Sequence, residues 1–226
     1  MSQKWHVETQ AIQAGYTPKN GEPRVAPIVQ STTYAYDTAQ SVADLFDLKA
    51  VGHMYSRISN PTCDAFEQKM AALEGGVGAL ATSSGQTAST IAIANVCTAG
   101  DHFIAAGSLY GGTVALFANT FKKMGIDVTF VDAEASLEEL QTSIKDNTKA
   151  IFAETIANPA MDIIDFEKFA KLSQNNGIPF IVDNTFGTPY LCQPLKLGAH
   201  IVVHSASKYL DGHATAVGGV IIDGGN

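Results

Sequence analysis

His204-Ser205-Ala206-Ser207-Lys208-Tyr209-Leu210-Asp211-Gly212-His213 follows the apolar run Ile201-Val202-Val203 and reads as a strand that delivers a lysine into a turn of small hydroxyl residues. Upstream, the apolar run Phe180-Ile181-Val182 ends in Asp183-Asn184-Thr185. Two such strands side by side present a lysine and an aspartate at one edge of a sheet, the carboxyl edge at which open α/β folds bind ligands. Alone, neither residue decides anything, because most lysines are solvated and most strand-end aspartates are caps.

The flanking chain repeats this pattern of short apolar strands and helices. Phe66, Met70 and Leu73 recur at helical spacing, with Thr62 as the expected N-cap and Gly75-Gly76 as the stop. Strand Ala79-Leu80-Ala81 leads through Thr82-Ser83-Ser84-Gly85 into a helix expected over Gln86–Val96. Strand His102-Phe103-Ile104-Ala105-Ala106 and the turn through Tyr110 precede a helix expected to bury Val114, Phe117, Phe121 and Met124 on one face. After strand Val128–Val131, Ser136 and Glu139 form a capping-box pattern. Strand Ala150–Ala153 leads to Glu154, Asp165 can cap a helix that closes at Gly177, and another strand is expected over Val217–Ile222. This alternation predicts an α/β fold with a mainly parallel sheet and helices on both faces.

Residues 1–60 lack that periodicity. Gly15, Pro18, Gly21, Pro23 and Pro27 mark an irregular, extended arm, with one short helix expected over Ser41–Lys49 that turns Val42, Leu45 and Phe46 to one side. Tyr34, Tyr36, Phe46, Met54 and Tyr55 make the arm too apolar for a solvated tail, so it is expected to pack on another surface, such as a second subunit.

Composition narrows the function classes. The 226 residues carry a net charge of −8 with no basic block, against a nucleic-acid partner. No apolar run is long enough to span a membrane, and Met1–His6 lacks a signal-peptide core. Cys63, Cys97 and Cys192 are widely spaced and odd in number, which points to free thiols in a reducing compartment and a cytoplasmic location. Gly76, Gly78 and Ala81 spell a dinucleotide fingerprint in the wrong context, entering a strand instead of leaving one. His200 and His204 on a strand stand about 13 Å apart, too far for one metal ion, and are expected as core or edge histidines. No metal site is expected.

A lysine able to form a Schiff base and an acid able to pair with a ring nitrogen are what pyridoxal 5'-phosphate (PLP) requires of a protein. Ser84, Gly85 and Gln86 at a helix start, with Ser205 and Ser207 beside Lys208, supply donors for its phosphate. Tyr110 can lie on an aromatic cofactor, the alternative being a half-buried core tyrosine.

Seven motifs then occur in one order: Tyr55-Ser56-Arg57-Ile58-Ser59-Asn60-Pro61-Thr62, Leu73-Glu74-Gly75-Gly76, Ser83-Ser84-Gly85, Leu109-Tyr110-Gly111-Gly112-Thr113, Glu154-Thr155-Ile156-Ala157-Asn158-Pro159, Val182-Asp183-Asn184-Thr185-Phe186 and Ser205-Ala206-Ser207-Lys208-Tyr209. Across nearly its whole length the chain resembles the Cys/Met-metabolism family of PLP enzymes. Leu45–Met54, Thr155–Asp165, Thr188–Cys192 and Gly212-His213-Ala214-Thr215 make it most similar to the O-acetylhomoserine sulfhydrylases.

That resemblance implies the large domain of a fold type I, aspartate aminotransferase-like enzyme over residues 61–226, with residues 1–60 contacting a neighbouring subunit of a homotetramer. It implies that Lys208 holds PLP and shuttles protons, that Asp183 pairs with the pyridine nitrogen, and that Tyr110 stacks on the ring. Ser84, Gly85, Gln86, Ser205 and Ser207 would hold the phosphate, and Tyr55 and Arg57 would reach the phosphate of a neighbouring subunit. Asn158 would sit near the 3-hydroxyl, with Glu154 and Thr185 behind. The implied reaction is γ-replacement on O-acetylhomoserine by sulfide or methanethiol. The alternatives are a cystathionine γ-synthase, γ-lyase or methionine γ-lyase activity, or a non-catalytic PLP-fold interaction module. Family members continue into a smaller C-terminal domain with an arginine for the substrate carboxylate, so these residues are expected to be part of a longer enzyme.

Overall fold

The computed structural model describes residues 5–226; of the Met1–His6 segment considered above, the first four residues lie outside the described part. The chain divides between Lys69 and Met70 into two compact units.

The first unit holds helices α1 (Val7–Gln13) and α2 (Ala39–Phe46) and the start of α3 (Pro61–Glu74). Thr38 caps α2 by accepting the Ser41 N–H, and Leu45 is the residue the helix buries. Phe46, expected beside Leu45, is 62% exposed, because α2 ends there and its side chain leaves the apolar stripe. The expected Thr62 cap is also corrected. Asn60 Oδ1 accepts the Thr62 N–H, while the Thr62 hydroxyl bridges Val29 N–H and the Pro27 carbonyl. Both residue types cap helices; a long-range pairing claimed the threonine.

In the second unit, seven strands form one sheet: β1 (Gly78–Thr82), β2 (His102–Ala106), β3 (Asp127–Val131), β4 (Thr148–Glu154), β5 (Phe180–Asp183), β6 (Ile201–Ser205) and β7 (Gly219–Asp223). Their order is β1-β7-β6-β5-β4-β2-β3. The pairs β2–β3, β2–β4, β4–β5 and β5–β6 are parallel, and β7 alone runs antiparallel, to β1 on one side and β6 on the other. Reversing β7 between two strands leaves β1 pointing the same way as β6, so the carboxyl ends of the other six strands share one edge.

Every residue of β2 is buried, and all of β4 except Lys149. Successive strand residues point to opposite faces, so both faces of the sheet are covered there. Helix α4 (Gly85–Val96) packs on β6 and β7, and α7 (Phe166–Asn176) on β4 and β5. The Ser136–Glu139 capping box starts α6 (Leu137–Thr142), Asp165 caps α7, and Gly177 closes α7 in the left-handed region at φ 62°.

Between β2 and β3, α5 (Gly111–Ala115) widens into a π-helical stretch, Leu116–Phe121. Phe117 and Phe121 are buried, and Phe117 meets Phe103 and Phe152 edge-to-face at 4.9 Å. The wider turn breaks the helical stripe, which leaves Met124, expected on the same face, 50% exposed. No helix among the described residues is long and apolar enough to cross a membrane.

Gly219 on β7 tests how tightly this edge is packed. A Cβ there would run into the Ser84 carbonyl and meet Thr82 Oγ1 at 2.6 Å, whereas one at Gly78 on β1 would meet nothing. Gly219→Ala is therefore expected to cost about 1–3 kcal/mol through overpacking and Gly78→Ala almost nothing, read from urea-denaturation midpoints.

Candidate active site

The shared carboxyl edge carries a cavity of about 210 Å³. Ser84, Gly85, Gln86, Tyr110, Asn158, Asp183, Thr185, Ser205, Ser207 and Lys208 all line it, together with Thr113, Glu154, Ile156 and Phe186. Tyr55 and Arg57, the other two residues of the predicted set, belong to the first unit, where the Arg57 guanidinium lies 4.9 Å from the centre of the Tyr55 ring.

The lining residues stand at strand ends or in the turns and helix starts that follow them. Asp183 closes β5 in register with Val203 of β6 and Glu154 of β4. Asp183 Oδ1 accepts the Thr185 N–H at 2.9 Å and the Thr185 hydroxyl at 2.5 Å. Burial pushes the Asp183 carboxyl above its usual pKa, opposed by those two donations and by the nearby His204 ring. Thr185 Oγ1 also accepts the Ser205 N–H at 2.8 Å, which links the end of β5 to the end of β6.

Past β6 the chain turns sharply. Ser207 is held to Gly218 by three bonds: its hydroxyl and its N–H donate to the Gly218 carbonyl at 3.2 and 3.3 Å, and the Gly218 N–H returns to the hydroxyl at 3.0 Å. Asp211 accepts from the Thr215 and His213 N–H groups, and the Tyr209 ring meets Phe186 edge-on at 5.8 Å. Lys208 sits within this braced turn, exposed to the cavity, its ammonium bonded to no described residue.

Next to β6, Ser84 caps α4 by accepting the Thr87 N–H, which leaves the N–H groups of Gly85 and Gln86 at the helix start. Gly85 abuts β6 so closely that a Cβ would lie 2.6 Å from Ser205 Cβ. Gln86 Nε2 donates to Thr113 Oγ1 at 3.2 Å. Tyr110, half exposed, precedes α5, and its N–H donates to Glu154 Oε1 at 2.8 Å.

One buried cluster was not legible as a unit in the sequence. Glu74, at the end of α3, accepts His204 Nε2 at 2.6 Å and Asn184 Nδ2 at 2.9 Å on the same oxygen, and all three side chains are fully buried. Asn184 also accepts the Thr155 hydroxyl at 2.8 Å and donates to the Cys192 carbonyl. His204 is thus the core histidine expected, and the residues after Asp183 and before Ser205 are pinned from behind.

The donor set fits PLP. A cation bonded to no described residue and a carboxylate share one cavity, and the helix-start N–H groups of Gly85 and Gln86 stand on the side of Ser205 and Ser207, at a glycine that lets the backbone approach.

Residues 8–226 match the family described as Cys/Met metabolism PLP-dependent enzyme. The chain belongs to this family. It is 44% identical over its full length to the O-acetyl-L-homoserine sulfhydrylase of Leptospira meyeri, covering 51% of that protein. It is 45% identical over 97% of its length to the homocysteine/cysteine synthase of Kluyveromyces lactis, covering 50% of it. The chain thus spans about half the length of the curated relatives it matches. A crystal structure of a putative O-acetylhomoserine (thiol)-lyase from Campylobacter jejuni, containing N'-pyridoxyl-lysine-5'-monophosphate, superposes with a TM-score of 0.94 at 37% identity, over 99% of this chain and 55% of that one. Cystathionine γ-lyase of Lactobacillus plantarum follows the same fold, with a TM-score of 0.88 at 35% identity over 97% and 55% of the two chains. Family and fold type I architecture are those expected from the seven motifs.

Glu74→Ala is expected to cost about 3 kcal/mol, because it strands two buried donors. Glu74→Gln keeps an acceptor and should retain most of that stability; equal losses in chemical denaturation would show that the hydrogen bonds are not the cause.

Proposed function

We propose that the protein acts as a PLP-dependent γ-replacement enzyme on O-acetylhomoserine, with sulfide or methanethiol entering and acetate leaving, to give homocysteine or methionine. The observation that supports it most directly is Lys208 and Asp183 on one cavity, at the ends of neighbouring parallel strands. The names of the relatives favour the sulfhydrylase reading over cystathionine-forming or eliminating activities.

When bound, PLP supplies an electron sink for the charge left on a substrate carbon beside the amine. Lys208 Nζ would hold the cofactor and, once displaced by the substrate amine, take the proton from the α-carbon. Asp183 would keep the pyridine nitrogen protonated. Tyr110 would lie against the ring and offer its hydroxyl as a second acid or base. Ser84, Gly85, Gln86, Ser205 and Ser207 would hold the phosphate, with Asn158 near the 3-hydroxyl.

Residues 61–226 would be the PLP-binding domain of a longer cytoplasmic enzyme. In a homotetramer of dimers, residues 1–60 would lie against a second copy and bring Tyr55 and Arg57 to its phosphate. Ile12, Val25, Ile28, Leu48 and Val51, all strongly exposed in the first unit, give that contact an apolar basis.

Borohydride reduction of the PLP-loaded protein is expected to trap cofactor on Lys208 and to trap none in Lys208→Ala. Covalent cofactor persisting in the variant would mean that the lysine is misassigned. Assays with O-acetylhomoserine plus sulfide, plus cysteine, or alone distinguish replacement by sulfide from cystathionine formation and elimination, and turnover in none of them would point to an interaction module.

A further inference from the structure

Glu154 ends β4 inside the cavity, is only 8% exposed, and has no part in the chemistry above. Its carboxyl group reaches two loops at once. Oε1 accepts the Tyr110 N–H at 2.8 Å, and Oε2 accepts the Asn158 N–H at 3.3 Å. Tyr110 follows β2 and Asn158 follows β4, so one side chain fastens both walls of the cavity. The same two loops carry an independent tie, from Ser108 Oγ to Asp162 Oδ2 at 2.6 Å, so loss of Glu154 does not cut them loose.

Glu154 is also the register partner of Asp183. Paired residues on adjacent parallel strands have backbones about 5 Å apart and side chains on the same face. Two neighbouring carboxylates in a poorly solvated site favour one shared negative charge over two. Their donors are unequal. Asp183 Oδ1 receives both an N–H and a short O–H from Thr185, whereas Glu154 has one good N–H bond and one long one. The weakly engaged Oε2 is the natural seat for a proton. The other ionisable groups around this pair are Tyr110 ahead of α5 and Lys208 past β6 on the cavity, with His204 of β6 nearby.

We propose that Glu154 is a positioning residue that fixes the chain at Tyr110 and Asn158 and carries the proton which leaves Asp183 as the single anionic carboxyl group of the cavity. Burial first, and then the neighbouring Asp183, push its pKa up to about 7, against the two backbone donations. One consequence rests on the cofactor reading. If Asp183 meets a protonated ring nitrogen, the repulsion on Glu154 is relieved and its proton passes to solvent as PLP binds.

The test uses the full-length protein. Without PLP, difference infrared spectra across about pH 5–9 are expected to show a protonated carboxyl band with a midpoint near 7, absent in Glu154→Gln and shifted to lower pH in Asp183→Asn. The wild-type band alone overturns the proposal if no carboxyl group titrates near 7. With PLP, wild-type affinity should strengthen through an inflection near 7 as pH rises. Glu154→Gln should lose that inflection and bind about three- to tenfold more weakly, while Ser108→Ala keeps it. Equal, pH-independent losses in those two variants would reduce Glu154 to an ordinary structural tie and overturn the positioning role. Failure of PLP to attach to Lys208, with the band, its loss and its shift all present, would reject the proposed function and support the proton assignment.

Discussion

Parallel pairing of β5 with β6, in the register that sets Asp183 against Val203, is the constraint from which the site follows. Parallel strands carry their carboxyl ends to one edge, and a shift of a single residue would turn each side chain to the opposite face. The register is held beyond the ladder itself: Asn184 N–H donates to the Val203 carbonyl at 2.9 Å, and Thr185 Oγ1 accepts the Ser205 N–H. With those bonds made, the aspartate and the turn bearing Lys208 cannot slide past one another. The same ladder extended to β4 brings in Glu154, and the reversed β7 allows β1 to deliver Ser84 and Gly85 to the same edge.

Beneath that edge lies a polar cluster in an otherwise apolar interior. Burying a carboxylate and an imidazole together is expensive unless their hydrogen bonds are good, and hydrophobic residues of similar size would stabilise the fold at least as well. Glu74, His204 and Asn184 are consequently best understood as geometry-setting groups. One oxygen of Glu74 gathers a residue next to Asp183 and a residue next to Ser205, tying α3 to two strands. A layer of this kind restricts the small movements that would loosen the groups above it.

Electrostatically the cavity is asymmetric. Helix-start N–H groups and hydroxyls line the side formed by α4 and the β6 turn, which suits a phosphate. Two carboxyl groups lie at the ends of β4 and β5, which suits a protonated nitrogen. Lys208 stands in the turn past β6, braced by Asp211 and by Tyr209 against Phe186, with its amine bonded to no described residue. A lysine held through its backbone and neighbours keeps its amine available.

Much of this was legible in the residues themselves. Apolar runs of strand length followed by Asp183 or Lys208, Ser and Gly at the turn into α4, and the Ser136–Glu139 box are local patterns, and local patterns are set by periodicity, capping and backbone sterics between near neighbours. Strand direction is not local: the Val217–Ile222 run is equally apolar in either sense, and only its pairing with both β1 and β6 makes β7 antiparallel. Thr62 and Asn60 are both able caps, and contacts to residues 27 and 29 chose between them. The partnership of Glu74 with His204 joins residues 130 apart, and that of Glu154 with Tyr110 joins residues 44 apart. The sequence by itself determined which elements form and which chemical groups stand at their ends. Only the tertiary structure decided which of those groups share a hydrogen bond, a charge or a proton, because such energies depend on distances and solvent exclusion that exist only once the sheet has closed.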